Sequence, residues 1–228
     1  SLAEEPRDEG RRRPPVEVLR RPHLLDPAGA LSGARAVRER GHEVALVEVL
    51  DPFELDPPEL SGLVLDWPFQ ADKAYAVSQG FDGGKTHTDE ESRYAIDIAM
   101  PEGAAVHAVR DGVVMDVEED FNVGGLDAEK YADKANHVRV LHEDGTMALY
   151  AHLALASVIV RPGARVRAGQ LLARSGNTGL SSGPHLHFVI QQNTGMKLIS
   201  LPFEFRLADG STAMPEEGRY IGALPALP

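Results

Sequence analysis

From residue 63 onward the chain reads as short apolar or alternating runs cut by turn-forming dipeptides. "AVHAVRDGVVMDVEED" predicts a hairpin turning at Asp111-Gly112, and "HVRVLHEDGTMALYAHL" a second turning at Asp144-Gly145. "SVIVRPGARVRAGQLLARSG" sets Pro162-Gly163 and Ala168-Gly169 between short strands, and "PHLHFVIQ" reads as a further strand. Between them, "NVGGLDAEKYADKAN" predicts a loop with one or two helical turns. Strands at this spacing predict a mainly β domain, an antiparallel β-sandwich or barrel, rather than a parallel sheet. The N-terminal part differs. Residues 1–22 mix both charges with proline and read as a flexible lead with one short strand at "VEVL". Ala28–Arg40 predicts a short helix with a weak apolar face; "HEVALVEVLDPFEL" predicts strand, broken by "DPFELDPPELSG". The expected division is a lead and small module over 1–62 and a main domain over 63–228.

Composition changes this picture little. With 228 residues, 43% of them apolar, the chain can build one substantial domain and a smaller piece. No apolar run reaches the roughly 18 residues that would mark a membrane-spanning helix. There is no cysteine, which excludes disulfides and cysteine-ligated zinc. A net charge of −12 argues against nucleic acid or an anionic membrane surface as the main partner.

The nine histidines carry the candidate chemistry. His23, His42, His107, His137 and His142 read as ordinary surface or strand residues. His185 and His187 are two apart on a predicted strand, so both imidazoles face one way while Leu186 and Phe188 face a core. Such a pair binds a divalent metal, sets one ligand beside one proton carrier, or lies on a polar sheet face. By the same alternation His152 in "LYAHL" shares a face with Tyr150. Asp97 sits between Ile96 and Ile98, where an unpartnered carboxylate is costly to bury. His87 lies in a loop ten residues upstream. One histidine, one aspartate and a second histidine suffice for a zinc site with an open position for water.

These segments resemble a known family. "HTDEESRYAIDIAMPEGAAVHAVRDGVV", "LYAHL" and "SGNTGLSSGPHLHF" together are similar to the lysostaphin-like zinc endopeptidases that cut peptidoglycan, in the family's order, between Trp67 and Gln191. The resemblance implies the duplicated-hybrid-motif type of β-sandwich. It implies Zn2+ held by His87, Asp97 and His187, with His152 and His185 as the catalytic histidines. One departure is visible: many members carry the first histidine four residues before the aspartate, where this chain has Arg93. A subgroup with a longer loop there is closer, and it makes His87 the ligand. The glycines Gly176, Gly179 and Gly183 are expected to permit the tight turns that lead into the His185–His187 strand.

The activity implied is hydrolysis of a peptide bond in a peptidoglycan stem peptide or cross-bridge. His152 and His185 would serve the attacking water and the developing oxyanion. No "HExxH" is present to supply a glutamate base. A family member that has lost its chemistry and binds the wall or activates a wall amidase is the alternative. A biotinyl, lipoyl or phosphocarrier domain is a third reading, weakened because no lysine sits at a carrier hairpin tip. A wall hydrolase is expected to be exported, periplasmic or envelope-associated, with a signal segment or membrane anchor upstream of Ser1. The sequence leaves the oligomeric state and the bond cleaved open.

Overall fold

The computed structural model describes residues 34–39, 42–47 and 62–222. The chain divides into two units, Ser1–Leu55 and Asp56–Pro228. In the first, strands Ala34–Glu39 and His42–Val47 pair antiparallel, with Glu39 opposite His42. The helix expected over Ala28–Arg40 is therefore replaced by strand through Ala34–Glu39. Only Arg40 and Gly41 separate the paired ends, a connection length that favours a hairpin, and the weak apolar face left a helix little to bury. The lead at 1–22, its expected strand and His23 lie outside the described residues.

The second unit is mainly β. Its nine-stranded sheet runs Arg165–Val166, Gly112–Glu118, His137–Leu141, Thr146–Ala151, Leu186–Asn193, Ile96–Ile98, Ala74–Gln79, Tyr220–Gly222, with Leu198–Leu201 also paired to Leu186–Asn193. Every pairing in it is antiparallel. Among the described residues, parallel pairing is confined to Gly124–Gly125 with Gly179–Leu180 and Val64–Leu65 with Glu204–Arg206. The hairpin at Asp144-Gly145 forms as the pattern predicts, with Gly145 at φ +81°.

The expected hairpin over 105–120 does not form. Ala105–His107 pairs instead with Leu171–Arg174, while Gly112–Glu118 joins the large sheet. The connecting residues Ala108 and Val109 are buried, and the Val109 amide donates to the Tyr150 hydroxyl at 2.9 Å. A buried crossing between two layers has its polar groups satisfied and its side chains in the core, so it competes well with a local turn.

One face of the large sheet closes the core. Ile96, Ile98, Tyr150, Leu186 and Phe188 are fully buried there and pack in one cluster with Val106 and Leu172 from the smaller ribbon and Phe205 from the C-terminal strands. The C-terminal segment is woven in: Glu204–Arg206 pairs with Val64–Leu65, and Tyr220–Gly222 extends the sheet beside Ala74–Gln79. The single helix among the described residues, Ala128–Tyr131, is one turn capped by Asp127, within the segment read as loop plus helical turn. No helix among them is long and apolar enough to cross a membrane.

Candidate metal centre

The opposite face of the sheet carries the chemistry, and cross-strand register places it. Gln79, Asp97, His187 and Ala151 are successive partners across four strands. Cross-strand partners project to the same face. Asp97 and His187 thus meet because Ile96–Ile98 pairs with Leu186–Phe188, whose apolar residues point into the core. His185, bridged to Gly176, precedes the strand on the same face as His187, as alternation predicts.

Asp97 Oδ1 is the focus. His187 Nδ1 lies 3.0 Å from it, His87 Nε2 3.3 Å and His185 Nε2 3.7 Å. His87 is 1% exposed, and its Nδ1–H donates to the Gly80 carbonyl at 3.0 Å. That bond spends the ring's proton and leaves the Nε2 lone pair facing a carboxylate oxygen. Among the described residues His87 Nε2, buried, has no hydrogen-bond partner, although Asp97 Oδ1 lies 3.3 Å away. Two acceptors facing each other repel unless a proton or a cation lies between them. The donor atoms of His87, Asp97 and His187 all lie within 4.8 Å of one another. That spacing suits an ion whose bonds to nitrogen and oxygen are about 2.0–2.2 Å. These three residues therefore fit a divalent metal.

Electrostatics agree. Burial works against the Asp97 carboxylate, yet the bond from His187 and the nearby His87 ring hold its carboxyl far below the usual range. Burial also opposes charge on His87, but Asp97 and the Gly80 carbonyl outweigh it and draw positive charge to the ring.

His152 reaches the site by a route that alternation does not predict. The strand ends at Ala151, and Tyr150 points into the core, fully buried, opposite Phe188. The expectation that Tyr150 and His152 share a face is thus wrong. His152 has φ +61°, a left-handed conformation that breaks the alternation and turns its ring toward the groove. Its Nδ1–H donates to the Thr178 carbonyl at 2.6 Å, so Nε2 is the free acceptor. Its ring centroid lies 4.4 Å from that of His185 and 5.9 Å from that of His187. Burial, reinforced by His185 and His187, pushes His152 down to about 3 and keeps it neutral. His185 Nδ1–H donates to the Gly183 carbonyl at 2.8 Å and leaves Nε2 toward Asp97.

Sequence reasoning missed the supports. Asn136, fully buried, bonds both backbone groups of Phe121 and the Leu153 carbonyl, while its amide N–H donates to Thr178 Oγ1 at 3.1 Å. It ties the 121–136 segment, the turn after His152 and the Thr178 loop together. The only sequence signal was an asparagine at the mouth of an apolar strand. Gly176 and Gly179 are required as expected. A Cβ at Gly176 would meet Ala154 backbone at 2.6 Å, and Gly179 has φ +79° with Ala135 at 2.7 Å. Gly183 is not: it has open space and no left-handed φ. Arg93 stays outside the cluster, paired with Asp82 on the surface, and closes the loop that carries His87. His107, His137 and His142 bond the Gly169 carbonyl, Asp116 and the Asp111 carbonyl.

A groove of about 750 Å3 opens over the cluster, lined by Asp97, His152, His185 and His187, with Ser78, Lys85 and Thr86 among one set of neighbours and Leu126, Leu180 and Ser181 among another. Residues 91–198 match the model of peptidase family M23. The chain is 31% identical over 123 residues to the peptidoglycan DD-endopeptidase ShyA of Vibrio cholerae, covering 53% of this chain and 26% of that one. It is 34% identical over 116 residues to a glycyl-glycine endopeptidase of Staphylococcus capitis, covering 50% and 27% respectively. The chain thus spans about a quarter of the length of these curated relatives. Among solved structures, lysostaphin of Staphylococcus simulans is 24% identical with a TM-score of 0.39, over 62% of this chain and 47% of that one.

Proposed function

We propose, from the match of residues 91–198 to the model of peptidase family M23, that the chain is a zinc-dependent endopeptidase hydrolysing peptide bonds in bacterial peptidoglycan, in a stem peptide or a cross-bridge. The observation that carries this reading is the convergence of three histidine nitrogens on Asp97 Oδ1 beside a neutral fourth histidine. The proposed ligands are His87, Asp97 and His187; the proposed catalytic residues are His152 and His185. The names of the relatives, peptidoglycan DD-endopeptidase and glycyl-glycine endopeptidase, support the substrate class.

Zinc held there would supply Lewis acidity, making water acidic near neutral pH and polarising a carbonyl oxygen. The remaining work falls to the chain. His152 is neutral, and its Nδ1–H is fixed to the Thr178 carbonyl, so Nε2 is free to accept a hydrogen bond from the attacking water and orient it. His185, fixed through Nδ1–H to the Gly183 carbonyl, serves the developing oxyanion and the leaving amine in its doubly protonated form, in which Nε2–H is the donor. Thr178 and Gly183 set which ring nitrogen each histidine offers. Chemistry on a wall polymer places the protein outside the cytoplasmic membrane, exported to the periplasm or envelope. Residues 63–228 are the proposed catalytic unit, and 1–62 a separate module.

The test is release of soluble fragments from purified peptidoglycan. Release should stop with a chelator and return when zinc is added. A chain that holds zinc yet releases nothing would instead be the non-catalytic wall-binding member.

A further inference from the structure

Formal charges in the groove are few. Among the described residues that line it, Lys85 is the single Lys or Arg and Asp97 the single carboxylate, in a chain of net charge −12. Asp97 is committed to the histidines. On the same loop Asp82 is engaged with Arg93, Asp89 with Ser92 and Glu90 with Lys197, and Glu91 does not line the groove. Lys85 itself is exposed and, among the described residues, has no ion-pair partner.

Its backbone is nevertheless fixed. A Cβ at Gly83 would lie 2.4 Å from Gln79 Cγ, so the loop packs directly on that side chain. The Gln79 amide donates to Thr86 Oγ1 at 2.6 Å, and the His87 amide donates to the Gly83 carbonyl at 3.0 Å. Lys85 is held between these anchors by the contacts that also place His87. The neighbourhood of His152 is different. There the 119–135 segment is clamped to the glycine-rich turn by the Gly124–Gly125 and Gly179–Leu180 pairing, and it offers Leu126, 76% exposed, beside Leu180. A negatively charged group entering the groove thus has one free cation to meet. Because the backbone around Lys85 is already set, pairing with such a group has only the lysine side chain left to order.

We infer that Lys85 is a specificity-determining residue that binds a carboxylate of the substrate peptide, so that the site prefers a peptide with a free carboxylate near the scissile bond over an amidated or all-glycine one. This rests on the peptidase reading above and narrows it to acidic stem-type peptides.

The test uses the zinc-loaded full chain and three probes: a cross-linked peptide with a free carboxylate beside the scissile bond, the same peptide amidated there, and pentaglycine. The wild type should favour the free acid over the amide by about 5- to 10-fold in kcat/KM, the range of one partly exposed charged contact. In Lys85→Met the ratio should fall to near one, with zinc content and melting temperature unchanged; Lys85→Arg should retain most of it. Raising salt to about 0.5 M should shrink the wild-type ratio. Equal cleavage of acid and amide by the wild type, or a ratio that survives in Lys85→Met, overturns the role of Lys85 and leaves the peptidase reading standing. If the zinc-loaded wild type cuts none of the three probes, the peptidase reading falls and the inference with it.

Discussion

At the scale of the residue, few atoms separate a proposed metal ligand from a proposed proton carrier: His187 Nδ1 and His185 Nε2 lie 3.0 and 3.7 Å from the same Asp97 oxygen. Asp97 lies at the centre of the proposed ligand set, so Asp97→Ala leaves two imidazoles and should release most of the zinc, measured by metal analysis of the purified protein. A variant that keeps one zinc per chain would remove Asp97 from the set. His152 and His185 are predicted to stand beside the metal rather than on it. Losing either should leave zinc bound while hydrolysis falls by about 10²–10⁴-fold. His152 has φ +61°, so His152→Asn is the better probe than alanine: asparagine tolerates that backbone. Zinc loss in His152→Asn or His185→Ala would move that histidine into the ligand shell. The HxH pair and Asp97 were legible from the sequence because period-two alternation governs a paired strand, and the apolar neighbours fix its sense. The orientation of His152 was not, because a single left-handed residue reverses what alternation dictates and no local pattern announces it.

Elements explain why the cluster stays assembled. The strand bearing His187 is paired on both edges, while His152 depends on a turn held by Asn136 and Thr178. Asn136→Ala would strand the Phe121 amide and carbonyl and lose a bond to Leu153. The expected cost is about 2–4 kcal/mol of stability, read by urea denaturation, with a drop in kcat because His152 loses its support. A stability change under about 0.5 kcal/mol would show that the network is not structural. Gly179→Ala should also destabilise, since the new methyl meets Ala135 backbone and φ is +79°. Element types followed from the sequence where turns are local, as at Asp144-Gly145. They did not where partners are distant. Ala105–His107 looked like half of a hairpin with Gly112–Glu118, but its partner is Leu171–Arg174, more than sixty residues on. Ala34–Glu39 carried too weak a helical face to resist pairing with His42–Val47.

For the whole molecule, acid should loosen the fold through groups remote from the metal ligands. Burial, with Arg110 nearby, pushes His142 below its ordinary value despite its bond to the Asp111 carbonyl. The folded state therefore favours neutral His142. Its contribution is complete above the unfolded value of about 6.5 and is lost as pH falls below it. Asp144 follows at lower pH. Burial opposes its charge, but bonds from Thr146 and Arg110 hold it at about 2, so its share is present above about 3.8 and fades toward 2. His142→Gln should lose less melting temperature than the wild type between pH 7 and 5. Both proteins keep the same metal centre, so its own pH dependence cancels, and equal slopes would discount His142. The central claim concerns the reaction itself, and mass spectrometry of peptidoglycan fragments tests it most directly. After incubation with the zinc-loaded chain, the account predicts fragments with a new amino terminus and a gain of one water at a single type of peptide bond, absent with Asp97→Ala. Unchanged fragments from a zinc-loaded wild type, or the same products from Asp97→Ala, would contradict it.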